Sequence, residues 1–344
     1  MAIMDQSSLA NLLLDKYGAL IVEGVTQYGP GNWLVPQQSI IGRLQSAGQV
    51  FIGGADGNDQ YAREWGVHAT AASAASFSAS DSWAAATNET YAQAKVSWKR
   101  VGISMEVDNM QRVMNAGGVR GSIHQVVNEF QTKVKALMSA AETQLASDGT
   151  GNSAKDLDGF KAFLSTGNTY AGIDQSANAY WRATVSAAGS ASISDTLMQG
   201  VVSALFDKGA IGPQFEIWMG ITQFQRFSNL HKDKIRYSAG DATTAPVPYY
   251  SDGGVEAPIR LIQSVPNSEV WFINLDDIEL RFLPHQAQDE LGGGDTEISR
   301  QGVPIGIEPL NTGKDTKGFA IKLYANLVCK NPRRQGALTG LATS

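Results

Sequence analysis

Residues Gly121–Asn152 read GSIHQVVNEFQTKVKALMSAAETQLASDGTGN, and their spacing decides how the rest of the chain is read. Apolar residues fall at Ile123, Val126, Val127, Phe130, Val134, Leu137, Met138, Ala141 and Leu145, so that one stripe stays on one face of an α-helix. The opposite face is polar. Ser122 stands as an N-cap with Gln125 three residues on, a capping box, and Asp148-Gly149 offers a left-handed stop. The helix predicted over Ile123–Ser147 has 25 residues. At ~1.5 Å per residue it is about 37 Å long, enough to span a domain.

Of the 344 residues, 43% are apolar, which supports a sizeable core in two domains or one elaborated domain. A formal net charge of −6 argues against a dedicated nucleic-acid binder, whose footprint is a basic face. Cys329 is the single cysteine: it excludes an internal disulfide framework, fits a reducing compartment and reads as a small buried hydrophobe. No run approaches the roughly 18 to 20 apolar residues of a membrane span. The N-terminus lacks a basic n-region and a small-residue cleavage site, so export by the general route is not expected.

Toward the N-terminus, Ser8–Glu23 has an amphipathic pattern, with Leu9, Leu12, Leu13, Tyr17, Leu20 and Ile21 on one side. The segment QYGPGNWLVPQQ then reads as an extended arm. From Tyr61 onward Trp65, Val67, Ala69 and Ala71 alternate with polar or small residues, a half-buried strand. Ala92, Ala94, Val96 and Trp98 answer it. After Lys99-Arg100 the phase slips to Val101, Ile103, Met105 and Val107, as at a bulge or a change of sheet. A long two-stranded hairpin is marginal alone in water, so this one is expected to rest on another surface, that of a neighbouring subunit.

Toward the C-terminus, a short helical piece over Asp108–Asn115 and a Gly117-Gly118 break precede the long helix. Tyr180-Trp181 reads as packing against that helix, with the Arg182 guanidinium free for a carboxylate or backbone partner. A second helix is predicted over Ser194–Lys208, with Leu197, Val201, Val202, Leu205 and Phe206 on its inner side and Gly209 as its stop. A buried strand over Phe215–Met219 and a helix over Thr222–Leu230 make a mixed α/β layer. Ser238–Glu256 and Gln286–Gln301 read as long exposed loops, and Ile259–Val265 and Val270–Leu283 as strands. Finally Ile321, Leu323, Ala325, Leu327 and Cys329 alternate with Lys322, Tyr324, Asn326, Val328 and Lys330, a strand with one buried face ended by Pro332.

Local enzyme signatures are missing. His68, His124, His231 and His285 lie far apart, with no HExxH, no paired metal-ligand spacing and no GxSxG elbow. Gly313-Lys314-Asp315 has Asp where a phosphate loop needs Ser or Thr. Asp148, Asn152, Asp156 and Asp158 do not follow a calcium-loop register and are explained by helix stop and turn. No catalytic, cofactor or metal residue is assigned.

In order, the arm, the long hairpin, the strand into Val107-Asp108 and the long helix ending in SDGTGN resemble the major capsid proteins of tailed bacteriophages, with the Hong Kong phage type of shell fold. TYAGIDQSANAYWRA and LYANLVCKNPRRQGALT look like segments that recur in one branch of such proteins. The resemblance implies an α+β phage major capsid fold. Its parts are an N-terminal arm (1–48), an extended β-hairpin loop (49–95), a peripheral domain (96–192) with a spine helix at about 122–148, an axial domain (193–275) and return strands (276–344). It implies a structural protein, not an enzyme, that self-assembles into pentamers and hexamers of an icosahedral shell around double-stranded DNA held non-specifically. Partners would be a separate scaffolding protein and a portal, with no membrane; assembly would take place in the host cytoplasm and the protein would reside in the virion.

Within that frame the expected intersubunit contacts are Trp65, Trp83, Trp98, Lys99, Arg100 and, in the loop nearest the symmetry axes, Tyr249 and Tyr250. No Lys lies between Lys16 and Lys95, so a shell without lysine crosslinks at the hairpin tip is expected. Two other readings remain open at this point: a nanocompartment shell of the same fold enclosing enzymes, and an α/β enzyme with a site assembled from distant residues.

Overall fold

The computed structural model describes residues 38–54, 60–70, 89–110, 119–231, 249–252, 255–284, 296–300, 303–311 and 313–343. The arm helix over Ser8–Glu23, the hairpin tip with Trp83, the Gly117-Gly118 break and most of the loop from Ser238 lie outside these residues.

Apart from a left-handed turn at Gly151–Ala154, the helices of the described residues are α1 (Ile40–Ser46), α2 (Val119–Leu145), α3 (Phe160–Phe163), α4 (Asp195–Phe206) and α5 (Ile221–Leu230). The strands through the first half are β1 (Val50–Ile52), β2 (Arg63–Thr70), β3 (Thr90–Val96), β4 (Lys99–Asp108), β5 (Thr169–Tyr170), β6 (Ile173–Asp174) and β7 (Thr184–Ala187). They continue as β8 (Phe215–Met219), β9 (Tyr249–Asp252), β10 (Val255–Leu261), β11 (Val270–Asn274) and β12 (Ile278–Phe282). The last four are β13 (Thr296–Arg300), β14 (Val303–Leu310), β15 (Thr316–Cys329) and β16 (Gly336–Thr339).

The long helix α2 starts earlier and stops earlier than its sequence signals say. Ser122 lies inside it, not at its N-cap, because the helix already runs from Val119. Its last residue is Leu145; Gly149, at φ +76°, belongs to the turn beyond, where Asp148 Oδ1 accepts from Thr150 N (3.1 Å) and Thr150 Oγ1 (2.7 Å). From Phe130 onward the stripe behaves as expected: Phe130, Val134, Leu137, Met138, Ala141 and Leu145 are buried against β4 and β15. Thr132, Ala136, Ala140 and Thr143, on the other side, are exposed. Each large buried side chain here contributes about 1.5–3 kcal/mol.

The first sheet runs β1-β12-β15-β14-β13, with β4 pairing the remaining edge of β15. The phase slip at Lys99-Arg100 is a change of sheet: β3 pairs β2, whereas β4 pairs β15 over ten residues. β15 has one buried face only as far as Tyr324; from Ala325 to Cys329 every residue is buried, since there β12 and the hairpin root close over it. Residues 296–300, read from sequence as exposed loop, form β13, and β14 was not signalled at all because Pro304 and Pro309 argue against a strand. Each proline sits where β14 is paired on one side only, which removes the conflict.

The second sheet runs β7-β16-β11-β8-β10-β9. Its inner strands β8 and β11 are buried along their whole length. Ser194 caps α4, its Oγ accepting from Leu197 N (3.4 Å), and Gly209 takes φ +64° beyond the end of the helix. Met198, Val201, Val202 and Leu205 face the sheet, but Phe206 points outward, 65% exposed, and Met198 takes the inner position. The end of the expected loop Ser238–Glu256 is a strand pair, β9 against β10.

The stretch Val270–Leu283 is not one strand. The chain leaves the second sheet at Asn274, makes a 3₁₀ turn at Leu275–Asp277 and joins the first sheet as β12. It returns between β15 and β16 through a second 3₁₀ turn, Pro332–Arg334. The two crossings are bonded together: Asn274 N donates to Gln335 Oε1 (2.9 Å), Gln335 Nε2 donates to Asn274 O (3.1 Å), and Asn274 Nδ2 reaches Ala210 O (2.8 Å). Both side chains are fully buried, so these bonds satisfy amides that would otherwise destabilise the junction.

Candidate assembly surfaces

The hairpin is seated at its root on its own chain. Ala94 and Val96 are buried, Trp65, Val67 and Ala92 pack beside them, and the Trp65 indole N–H donates to Lys330 O (3.2 Å). The Trp65 ring lies 6.1 Å from Trp181, which is buried and bonded to Tyr170 O (3.1 Å). Trp181 therefore packs on Tyr170 and the hairpin, not primarily on α2. Arg182 takes the expected backbone partners, Gln175 O (2.9 Å) and Ser176 O. The supporting surface assigned from sequence to a neighbour is, for the root, the chain's own body. Further out, His68 stacks on the exposed Tyr91 at 5.1 Å, and Glu89 accepts from the Tyr91 hydroxyl (2.7 Å).

Cations gather where the hairpin meets β12. Glu279, buried, accepts from Arg63 and from Arg281 Nε (2.8 Å), and Lys330 Nζ stands 3.4 Å away. Burial alone would push its carboxyl up, but the hydrogen bonds and charges of Arg63 and Arg281 outweigh that and hold it below the usual range. Arg281 also lies over the Phe51 ring at 5.2 Å and donates to Gly53 O (3.1 Å).

Of the other residues singled out in the sequence, Trp98 packs half-buried on the main core. Lys99 Nζ donates to Ala154 O (2.5 Å) and stands 3.8 Å from Asp158, whose carboxyl is raised by burial. Arg100 lies over the Tyr324 ring at 5.5 Å. Tyr250 is buried in the second core, beside a pocket of about 170 Å³ that Val202, Phe206 and Val255 also line. The structure does not gather these residues into one site; Trp83 and the Tyr249 side chain lie outside the described residues. Cys329 is fully buried, its thiol pushed up by burial, and its N–H donates to the Tyr170 hydroxyl (2.6 Å).

Sequence reasoning passed over Glu142. Its carboxylate is buried and accepts from Ile40 N (2.6 Å), Ile41 N (3.2 Å) and Ser264 Oγ (2.5 Å), joining α1, α2 and the loop after β10. A signal existed, because Glu142 falls four after Met138 and three before Leu145, squarely in the apolar stripe. Among the described residues there is no cluster of metal-binding side chains and no helix long and apolar enough to cross a membrane.

Comparison with known proteins bears on this architecture directly. The family model described as SU10 major capsid protein matches residues 51–342. Among solved structures, the chain is similar to a chain of the cyanophage A-1(L) capsid asymmetric unit, with TM-score 0.67 and 15% identity over 81% of this chain and 87% of that one. It is also similar to the capsid of the native GTA particle, with TM-score 0.53 and 11% identity over 87% and 90%. Mycobacterium phage Bobi gives TM-score 0.50 and 12% identity over 100% of both chains. No curated protein matches. At these identities the structures speak to the fold, which is the α+β phage capsid fold. The family match runs from the edge strand β1 past the end of β16, through both sheets and the long helix, and the chain belongs to the SU10 major capsid protein family.

Proposed function

We propose that the chain is the structural subunit of a phage head, assembling as pentamers and hexamers into an icosahedral shell around double-stranded DNA. The observation that carries this beyond family membership is the hairpin. Its root is anchored in the chain's own core, while beyond the root the Tyr91 ring, stacked on His68, remains 69% exposed. A rigidly seated projection is suited to lie across a neighbour.

In this reading the first core, built on α2 and the sheet around β15, is the peripheral domain. The second core is the axial domain, and it takes in β7 and β16 as well as residues 193–275. Trp83, Tyr249 and the outward sides of Trp98, Lys99 and Arg100 meet other subunits; Trp65 and Tyr250 act from beneath, by fixing the surfaces above them. A separate scaffolding protein and a portal complete assembly in the host cytoplasm. The net acidic shell leaves DNA neutralisation to cations.

Electron microscopy of particles carrying this chain tests the proposal. Closed shells with five-fold vertices and nuclease-protected DNA are expected. Closed shells that hold protein cargo and no DNA would instead favour a nanocompartment, and a monomer with turnover on a small substrate would sink both.

A further inference from the structure

We infer that the patch made by β1 and the Glu279 cluster is a docking site for an extended, carboxylate-bearing segment of a second copy of this chain; the inference rests on the shell-assembly reading. Three observations converge there. First, β1 is an edge strand: among the described residues it pairs β12 on one side and no strand on the other. Short open edges of this kind accept a further strand. Second, the edge carries apolar side chains in water: Phe51 is 36% and Ile52 51% exposed.

Third, the charges beside it do not balance. Arg63, Arg281 and Lys330 face the Glu279 carboxylate, and Lys330 and Arg334 the neighbouring Asp277, four cations to two carboxylates. Arg63 Nε is buried and has no hydrogen-bond partner, although an unmet buried donor costs about 1–3 kcal/mol. Arg63 and Lys330 keep one side open to solvent, with side chains 25% and 31% exposed. An incoming carboxylate would meet this excess of positive charge at the exposed sides of Arg63 and Lys330.

The occupant follows from charge complementarity. With 33 acidic against 27 basic residues, another copy of this chain carries a net negative charge, to which a cation-rich spot is matched. An apolar pair flanked by arginines is also the composition of an interface centre. A polyanion such as DNA would use the cations but not Phe51, Ile52 or the open strand edge.

The test uses the full chain. Wild type, Lys330→Glu, the milder Lys330→Gln and Ile52→Asp are followed by sedimentation and electron microscopy, with the melting temperature of the free subunit as the folding check. The expected result is an unchanged melting temperature and an onset of association at least about tenfold higher in concentration for Lys330→Glu and Ile52→Asp. The salt dependence of association should be weaker in both lysine variants, since they remove the screened attraction. Folded variants that associate as wild type does would overturn the inference. So would a shell map in which the patch faces solvent or is covered by the chain's own residues. Wild type that forms oligomers but no closed shells would remove the shell reading while the variants still judge the patch; wild type that stays monomeric removes both.

Discussion

Glu142 and Ser264 are 122 positions apart in the chain, yet the Ser264 hydroxyl donates to the Glu142 carboxylate at 2.5 Å. The same carboxylate takes the first two N–H groups of α1, while Ser39 takes the third through its hydroxyl (3.0 Å). Glu142 thus joins α2, α1 and the loop that follows β10. Glu142→Ala should cost about 2–5 kcal/mol, because it leaves two helix N–H groups buried without acceptors. Thermal or denaturant unfolding of the free subunit measures this.

The pH dependence of that joint has a definite sign. Burial pushes the Glu142 carboxyl above its ordinary value of 4.5, against the opposing bonds from Ser264, Ile40 and Ile41. A raised folded value means that the contribution is fully present below the unfolded value and is lost as pH rises through the folded one. Glu142→Gln cannot ionise. The stability of wild type relative to Glu142→Gln should therefore fall as pH is taken from about 4 to 8; a difference that stays flat with pH would contradict the assignment.

Gly159 lies where the turn after α2 folds back on the helix end. A Cβ there would meet the carbonyl oxygens of Gln144, Leu145 and Ser147 together, all backbone and none able to swing aside. Gly159→Ala should destabilise the subunit by about 3 kcal/mol, by overpacking, with no loss of any hydrogen-bonding side chain. Reduced yield of folded subunit with normal association of the fraction that folds is the expected pattern.

Asn274 and Gln335 hold the two crossings between the sheets. Asn274→Leu and Gln335→Leu should each cost about 2–4 kcal/mol, since each leaves buried backbone groups unpaired. The Gln335 side chain bonds to the Asn274 backbone and the Asn274 side chain to Ala210 O and Asp276 N, so the two substitutions remove different bonds and the double variant should cost about the sum, which a double-mutant cycle reads directly. Single variants as stable as wild type would show that the crossings are held by other contacts.

What was legible in the sequence was what periodicity carries. The α2 stripe, the hairpin, the slip between β3 and β4, the inner strand β8 and the face of β15 all follow from spacing, since a one-residue error would turn each inside out. The junctions were not legible. The break inside Val270–Leu283 is marked only by Asn274 and the Asp276-Asp277 pair, and these do not stand out because β11 and β12 on either side are buried and β12 carries Glu279 and Arg281 of its own. Strand β14 was hidden by two prolines whose harmlessness depends on which neighbours end where. The arrangement at Glu279 is likewise a property of four distant segments, and no local motif encodes it.

A final expectation concerns covalent linkage. In capsids that crosslink through the hairpin, a neutral lysine amine must attack a neighbour's amide. Here no Lys occurs between Lys16 and Lys95. Lys95 itself sits at the hairpin root, paired with Glu64 at 3.0 Å, and that hydrogen bond pushes its ammonium above the ordinary lysine value. A more firmly protonated amine is a poorer nucleophile, so the one lysine on the described hairpin strands is held in the unreactive state. Mature particles should dissolve in denaturing detergent to a single monomer band, with no ladder of multimers. A ladder that vanishes in Lys95→Arg would show that the Glu64 pair opens on assembly and frees the amine.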